Sequence, residues 1–379
     1  MRVRMGMVGG GLDAMAGNLH RHAAALDGRV EFIAGALSST PERSRAAAKA
    51  WGLERGYGTW QEMLEAEQKL PAADRIEFVT VTTPNHLHVP VSAAFAERGF
   101  HVACDKPIGI SLDEAKQLCR LVDKSGIVFL LTHNYTGYPM VKQARHMVAN
   151  GDLGDLIKVM VDYPQGWFLQ PLEKQGHKGA AWRADPSKSG SGCLADIGSH
   201  AQHMMHTVTG LEIEELCADF GHLHGRKVDD DVSILLRFRG GARGILSASQ
   251  VMAGEENGPN FRIYGTTGAL EWKQLEPESL VLRQPGQPVR ILRRGETYLC
   301  DAAKRASRIA PGHPEGYYEA FGNLYRNFAD AIVARRQGVR TELDFPTAID
   351  GARTMAFIET ALESNAAGGK WMRVKDHTH

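Results

Sequence analysis

"RVRMGMVGGGLDAMAGNLHRHAAALDGRVEFIAGALSS" spans Arg2–Ser39, and its reading decides the fold. Val3, Met5 and Met7 alternate with Arg2, Arg4 and Gly6, the period of a strand. Glycines follow at once at positions 9, 10 and 11, the sign of a tight turn. "LHRHAAALDG" is alanine-rich, favours helix, and stops at Gly28. "VEFIAGALSS" reads as a second strand, so the whole is a β-α-β unit. Gly9, Gly11 and Ala14 fit the spacing G-x-G-x-x-G/A, with Leu12 inside the turn and Gly10 and Gly17 in addition. Glycine is needed there because the backbone must approach a pyrophosphate closely. The helix behind it offers unpaired N–H groups and the positive end of its dipole. The residues therefore point to a dinucleotide, NAD or NADP.

The end of the second strand bears on which of the two. NAD-specific folds usually place Asp or Glu there, on the ribose hydroxyls. This chain has Ser38 and Ser39 instead, with Arg43 at the start of the next helix. Serine does not repel a 2′-phosphate, and Arg43 can pair with one, which favours NADP slightly.

The alternation continues. "PERSRAAAKAWG" reads as helix, "IEFVTVTTPNHLH" as strand and loop, and "PVSAAFAERG" as helix. "FHVACDKP" is a strand, "SLDEAKQLCRLVDKSG" a capped helix, and "IVFLLTHNY" a strand. Strict alternation implies a doubly wound parallel sheet, with ligands beyond the carboxyl ends of its strands. "TTPNHLH" and "CDKP" lie at two such ends, so Thr83 and Pro84 are expected beside the cofactor. From about residue 136 short strands joined by Gly, Asn and Pro turns take over, and two long helices follow. The expected fold is α/β: an N-terminal Rossmann domain over 1–135, then an α+β domain over 136–379. The second would be built on a large, mostly antiparallel open sheet.

Composition narrows the partners. Among 379 residues, 44 Lys plus Arg balance 44 Asp plus Glu. With no basic run, neither nucleic acid nor an anionic membrane is the expected partner. Five scattered cysteines form no CxxC pair, and no apolar leader or bilayer-length run is present. A cytoplasmic protein acting on a small molecule is the expectation.

"GCLADIGSHAQHMMH" (192–206) holds three histidines, an aspartate and a cysteine. A metal reading needs His200, His203 and His206 to converge, but on a helix 206 rotates away, and Cys193 lacks a partner at ligand spacing. No metal is expected. Asp196 and His200, four apart, share a helix face. His200 can be a base near neutral pH, and Asp196 can bind the reacting hydroxyl or steady an imidazolium.

"GGG", "TPNHLH", "DKP", "THNY", "WRADP…SGSGCLADIGSHAQH" and "GTTGALEW", in this order over nearly the whole chain, resemble the glucose–fructose oxidoreductase/inositol dehydrogenase (Gfo/Idh/MocA) family. The resemblance implies NAD or NADP, a sugar or polyol substrate, and a homodimer or homotetramer. It implies that Asp105, Lys106 and Pro107 match the family's Glu-Lys-Pro, with Lys106 the active-site lysine. Asp196 and His200 then match its Asp-x3-His pair. Asn85, His88, Asn134, Trp182 and Arg183 would lie near the nicotinamide and its ribose. Asp105 is a methylene shorter than the usual Glu, His203 stands where many members have Asp, and "NYTGYP" lacks a common arginine. Tyr135, Tyr138, Trp167 and His313 are candidates to contact substrate. Three readings stay open: a dehydrogenase of a cyclic polyol, sugar or glycoside; a glycosidase that uses NAD transiently; and a non-catalytic nucleotide sensor.

Overall fold

The structure, a computed structural model, describes residues 2–378. The chain divides into two compact units. The first takes residues up to Asn134 together with Tyr317–Ala352, and the second takes Tyr135–Gly316 and Arg353–His377.

The first unit begins with β1 (Val3–Gly9), α1 (Met15–Ala25), β2 (Val30–Ala36), α2 (Pro41–Ala50), β3 (Arg55–Gly56) and α3 (Trp60–Lys69). It continues through β4 (Phe78–Thr82), α4 (His88–Ala96), β5 (His101–Cys104), α5 (Leu112–Ser125) and β6 (Phe129–Leu131). All six strands are parallel, in the order β3-β2-β1-β4-β5-β6. Helices on both faces leave the central strands almost wholly buried, the Thr80 side chain of β4 included. Local signals set the helix ends. The Ser111 side chain accepts the Glu114 N–H at the start of α5, and Gly126 closes it at φ +63°.

The second unit opens with α6 (Pro139–Ala149), β7 (Leu156–Pro164), α7 (Lys178–Arg183), α8 (Pro186–Ser189) and α9 (Ser199–Thr209). Then come β8 (Ile213–Gly221), β9 (Asp231–Phe238), β10 (Arg243–Ser249), β11 (Asn260–Gly265), β12 (Ala269–Lys273), β13 (Ser279–Arg283), β14 (Arg290–Arg293) and α10 (Asp301–Arg305). With β15 (Met372–Arg373) at the far edge, the nine strands run β14-β13-β12-β11-β7-β10-β9-β8-β15. Seven of the neighbouring pairs are antiparallel, and only β7 and β10 run parallel. This is the mostly antiparallel sheet that the strand spacing implies. One face is buried. The other carries Leu235, Ile245 and Met160 side by side across β9, β10 and β7, with Leu235 48 % exposed.

The last long helices are α11 (Tyr317–Arg336) and α12 (Ala348–Ala366). A simple split after residue 135 leaves α11 in the second domain, whereas the structure returns it to the first unit. The cause is burial. Phe321, Leu324, Tyr325, Phe328 and Ile332 join the core of Val3, Met5, Met7, Phe78 and Leu130. Among the described residues no helix is long and apolar enough to cross a membrane.

Candidate active site

In the first unit, β1 ends in a turn that only glycine can make. Gly9 and Gly10 sit at φ +82° and +69°. The turn also meets α1 more closely than the spacing implies. A Cβ on Gly17 would lie 1.5 Å from the Gly10 carbonyl oxygen, and one on Gly11 would lie 2.6 Å from that of Leu37. Gly17, not Ala14, therefore takes the close-packing place of the fingerprint. Ala14 is the N-cap of α1, with no side-chain cap and no acid in the first turn. The first N–H groups of α1 thus remain open to an anion, and the turn fits a dinucleotide's phosphates. Leu12 and Met15 stand 48 % and 81 % exposed beside it. Thr83 Oγ1 and Asn134 Nδ2 are buried without a hydrogen-bond partner, as groups reserved for a ligand are. After β2, the Ser38 hydroxyl accepts the Thr40 N–H at 3.2 Å, with Ser39 next to it, and Arg43 pairs with Asp13 at 2.7 Å.

The turns after β4 and β5 are locked together. His88 lies with Nδ1 2.6 Å from the Pro107 carbonyl and Nε2 2.8 Å from that of Thr83. Burial pulls its imidazole below the ordinary value, against the raising effect of Asp105 and both carbonyls. Its place is between two backbone turns, those of Pro84–Asn85 and Lys106–Pro107. Asp105 is the hub. Its Oδ1 accepts from the Lys106 N–H and from Thr132 Oγ1, both at 2.9 Å. Burial opposes its charge, yet His20, Lys106 and His88 outweigh burial and hold the carboxyl well below the usual range.

In the second unit, Asp196 lies in a π-turn, Leu194–Gly198, that runs directly into α9 and His200. The turn adds a residue to the helix, a feature frequent at functional sites. Its start is pinned by buried Asp229, which accepts from Ser191 Oγ, the Gly192 N–H at 2.8 Å and the Leu194 N–H at 2.6 Å. Asp196 Oδ2 accepts from Arg183 Nε at 3.2 Å and from Gln250 Nε2 at 2.8 Å. The Arg183 guanidinium lies 4.3 Å from the Trp182 ring centroid.

A polar network lies around this pair. Gln250 reaches Gln165 at 3.5 Å, and Gln165 Nε2 donates to Asn257 Oδ1 at 2.6 Å. Asn257 joins the Tyr163 and Tyr135 hydroxyls, which also bond to each other. Burial, with Tyr163 beside it, pushes the Tyr135 phenol far above the usual value. The His200 ring packs edge-on to Tyr135, with centroids 4.9 Å apart. Trp167 enters through an Nε1–H bond to Gln165 at 3.0 Å. Tyr138 turns instead to Trp272 and Gln274. His313 is exposed, its ring against the carbonyls of Ala310 and Pro311 in its own loop.

Gln165, Gln250, Asn257, Tyr163, Asp229 and His20 were not marked by any sequence motif, and Thr132 stood only as the first residue of "THNY", with no role assigned. Among the described residues no group of three or more His, Cys, Asp or Glu side chains is placed to hold a metal ion.

Comparison with known proteins bears on both units. Residues 3–135 match an oxidoreductase family with an NAD-binding Rossmann fold, and residues 141–271 match the GFO/IDH/MocA C-terminal domain. The chain is 30% identical to an uncharacterized oxidoreductase of Bacillus subtilis, covering 98% of this chain and 97% of that protein. It is 28% identical to levoglucosan dehydrogenase of Pseudarthrobacter phenanthrenivorans, over 71% of this chain and 73% of that one. Among solved structures, the inositol dehydrogenase homolog of Azotobacter vinelandii in complex with NAD+ superposes with a TM-score of 0.94. That likeness has 33% identity and covers 98% of this chain and 97% of that one. The same homolog is known with NADH and myo-inositol.

Proposed function

The chain belongs to the Gfo/Idh/MocA family of oxidoreductases, and on that premise we propose that it is a dehydrogenase of a cyclic polyol, sugar or glycoside. It would oxidise a secondary hydroxyl, or reduce the ketone in reverse. The observation that carries the reading is the Asp196–His200 pair. Asp196 is held by Arg183 and Gln250, and His200 follows it through the π-turn into a set of tyrosine, asparagine and glutamine side chains. Such groups suit a polyhydroxylated ligand.

Bound nicotinamide supplies the hydride acceptor. His200 takes the hydroxyl proton, and Asp196 orients that hydroxyl or stabilises the imidazolium. Lys106 supplies positive charge for the developing alkoxide. Gly9, Gly10, Gly11 and the N-terminus of α1 hold the diphosphate, with Leu12 and Ala14 alongside. Thr83, Pro84, Asn85, His88, Asp105 and Asn134 frame the nicotinamide end in this reading, and the family resemblance adds Trp182 and Arg183 to the cofactor's neighbours. Tyr135, Trp167 and His313 face the substrate in this reading.

Ser38 favours a second choice of nucleotide, NADP, because no carboxylate stands there to repel a 2′-phosphate. The Asp13–Arg43 pair works the other way, since it occupies the arginine that would bind that phosphate. The exposed apolar row on β9, β10 and β7 supports a homodimer or homotetramer. The described cysteines are all free, in keeping with a reducing, cytoplasmic setting.

The test is a panel of cyclic polyols, sugars and glycosides, myo-inositol and levoglucosan included, with each nucleotide. The readout is absorbance of the reduced nicotinamide. Reduction of nucleotide with one class of substrate is expected. Glycoside cleavage with no net absorbance change, or no turnover at all, would overturn the dehydrogenase reading.

A further inference from the structure

His20 looks from the sequence like part of a polar helix face. In the structure it is 1 % exposed, the most enclosed imidazole of α1. Its ring stands edge-on to Phe321 and Tyr325 of α11, with centroids 4.8 and 5.8 Å away. Nδ1 is 2.6 Å from the Tyr325 hydroxyl, which is itself 3.1 Å from Thr80 Oγ1 on β4. Nε2 faces Asp105 Oδ2 at 3.7 Å. The other oxygen of that carboxylate accepts the Lys106 N–H and the Thr132 hydroxyl.

Four elements of the first unit thus converge on one ring. The arrangement that gives each group a donor and an acceptor runs from Thr80 to Tyr325, to His20, to Asp105. Tyr325 donates to Nδ1, and the imidazole carries its proton on Nε2, toward the carboxylate. In this tautomer the Nε2–H faces Oδ2 and fixes the carboxylate's direction. The groups facing Asp105 are then His20 from α1, His88 from α4, Lys106 on its own turn, Thr132 after β6, and the Tyr325 phenol from α11.

We infer that His20, backed by Tyr325, is a positioning residue that acts through Asp105 on Lys106. The inference rests on the reading of Lys106 as the active-site lysine. The same histidine belongs to α1, whose N-terminus would hold the nucleotide's phosphates. Nucleotide seat and lysine turn are therefore tied through one side chain. With His20 gone, the carboxylate loses its neighbour on Oδ2 and keeps only the Lys106 N–H and the Thr132 hydroxyl on Oδ1 among those named, so the charge beside Lys106 is less firmly held.

The test uses the full chain as wild type, His20→Leu, His20→Gln and Tyr325→Phe. Trace acetic anhydride at pH 8 labels lysine side chains, and peptide mass spectrometry compares Lys106 with exposed Lys49. Acetylation of Lys106 should rise at least about threefold in His20→Leu, as the turn that carries the lysine is less firmly held by Asp105. Gln carries an Nε2–H donor, so His20→Gln should stay close to wild type, and Tyr325→Phe should fall between. NADH titration by fluorescence should show weakened binding in His20→Leu and not in His20→Gln.

Equal labelling in all four proteins would overturn the proposal. So would a His20→Gln protein altered as much as His20→Leu, which would mark a packing role alone. If circular dichroism shows His20→Leu unfolded, Tyr325→Phe must still exceed wild type while His20→Gln matches it. Acetylation requires neither sugar nor hydride transfer. A wild-type chain that fails to bind NADH therefore overturns the dehydrogenase reading and leaves the labelling comparison standing.

Discussion

Gln250, at the end of β10, donates from Nε2 to Asp196 Oδ2 at 2.8 Å while itself only 1 % exposed. A hydrogen bond to a charged group contributes about 1.5–3 kcal/mol. Gln250→Leu should leave the fold intact and reduce kcat roughly tenfold or more, because Asp196 loses one of the hydrogen bonds that hold it beside Arg183. Steady-state kinetics at saturating nucleotide checks this, and an unchanged kcat would show that Asp196 does not depend on Gln250.

His200→Ala should lower kcat by about two orders of magnitude with NADH binding retained. Fluorescence titration beside the rate assay separates the two effects. Near-native turnover would remove His200 from the role of base.

Gly17→Ala puts a methyl where the Gly10 carbonyl oxygen lies, and backbone cannot yield as a flexible side chain can. Overpacking of this kind costs about 1–3 kcal/mol. The turn must also separate from α1, so NADH binding should be lost. A native melting temperature together with native affinity would contradict the close-packing role of Gly17.

Nucleotide choice should turn on Asp13 and Ser38. Asp13→Asn frees Arg43 and should raise kcat/KM with NADP relative to NAD. Ser38→Asp should shift the ratio toward NAD, since a carboxylate binds the ribose diol and repels phosphate. If neither substitution moves the ratio by about fivefold, a change near 1 kcal/mol, the two residues lie outside the adenosine pocket.

His101 accepts the Val128 N–H at Nδ1, at 2.9 Å, and must be unprotonated there to do so. Burial, with Arg335 close by, pulls its imidazole down to about 4. Between its ordinary value near 6.5 and about 4 the unfolded chain binds a proton that the folded chain does not. Stability is therefore whole above that window and falls as pH drops through it, by about 3 kcal/mol in all. Urea melts from pH 7 to pH 4 should show a shallower loss in His101→Gln. Parallel curves for the two proteins would exclude His101 as the source.

The parts legible in the sequence were those with a short-range cause. Alternating β1 residues, the glycine turn and the capped α5 each declare themselves within a few positions, and the mostly antiparallel character of the second sheet follows from strand spacing, though its edge strand β15 does not. Asp196 and His200 stood out through an ordered set of motifs. Their surroundings did not. Gln165, Gln250 and Asn257 come from three separate segments that only sheet register brings together. His20 sits in an alanine-rich helix with nothing local to show that its partner is Tyr325. Ala14 fitted a spacing rule, but the contact that rule describes belongs to Gly17, which only backbone geometry reveals. The π-turn at Asp196 has no periodic signature, because its start is set by Asp229 from a distant loop.

The return of α11 to the first unit bears on how this chain is made. A ribosome releases the six parallel strands early, but the helix that seals Val3, Met5 and Met7 emerges only after every strand from β7 to β14. Through that interval the nascent nucleotide unit carries an unsealed apolar face, the kind of surface on which chaperones act and aggregation starts. A fragment ending at Asn134 would stay in that unfinished state, so expressing the nucleotide-binding half alone requires α11 to be grafted back onto it.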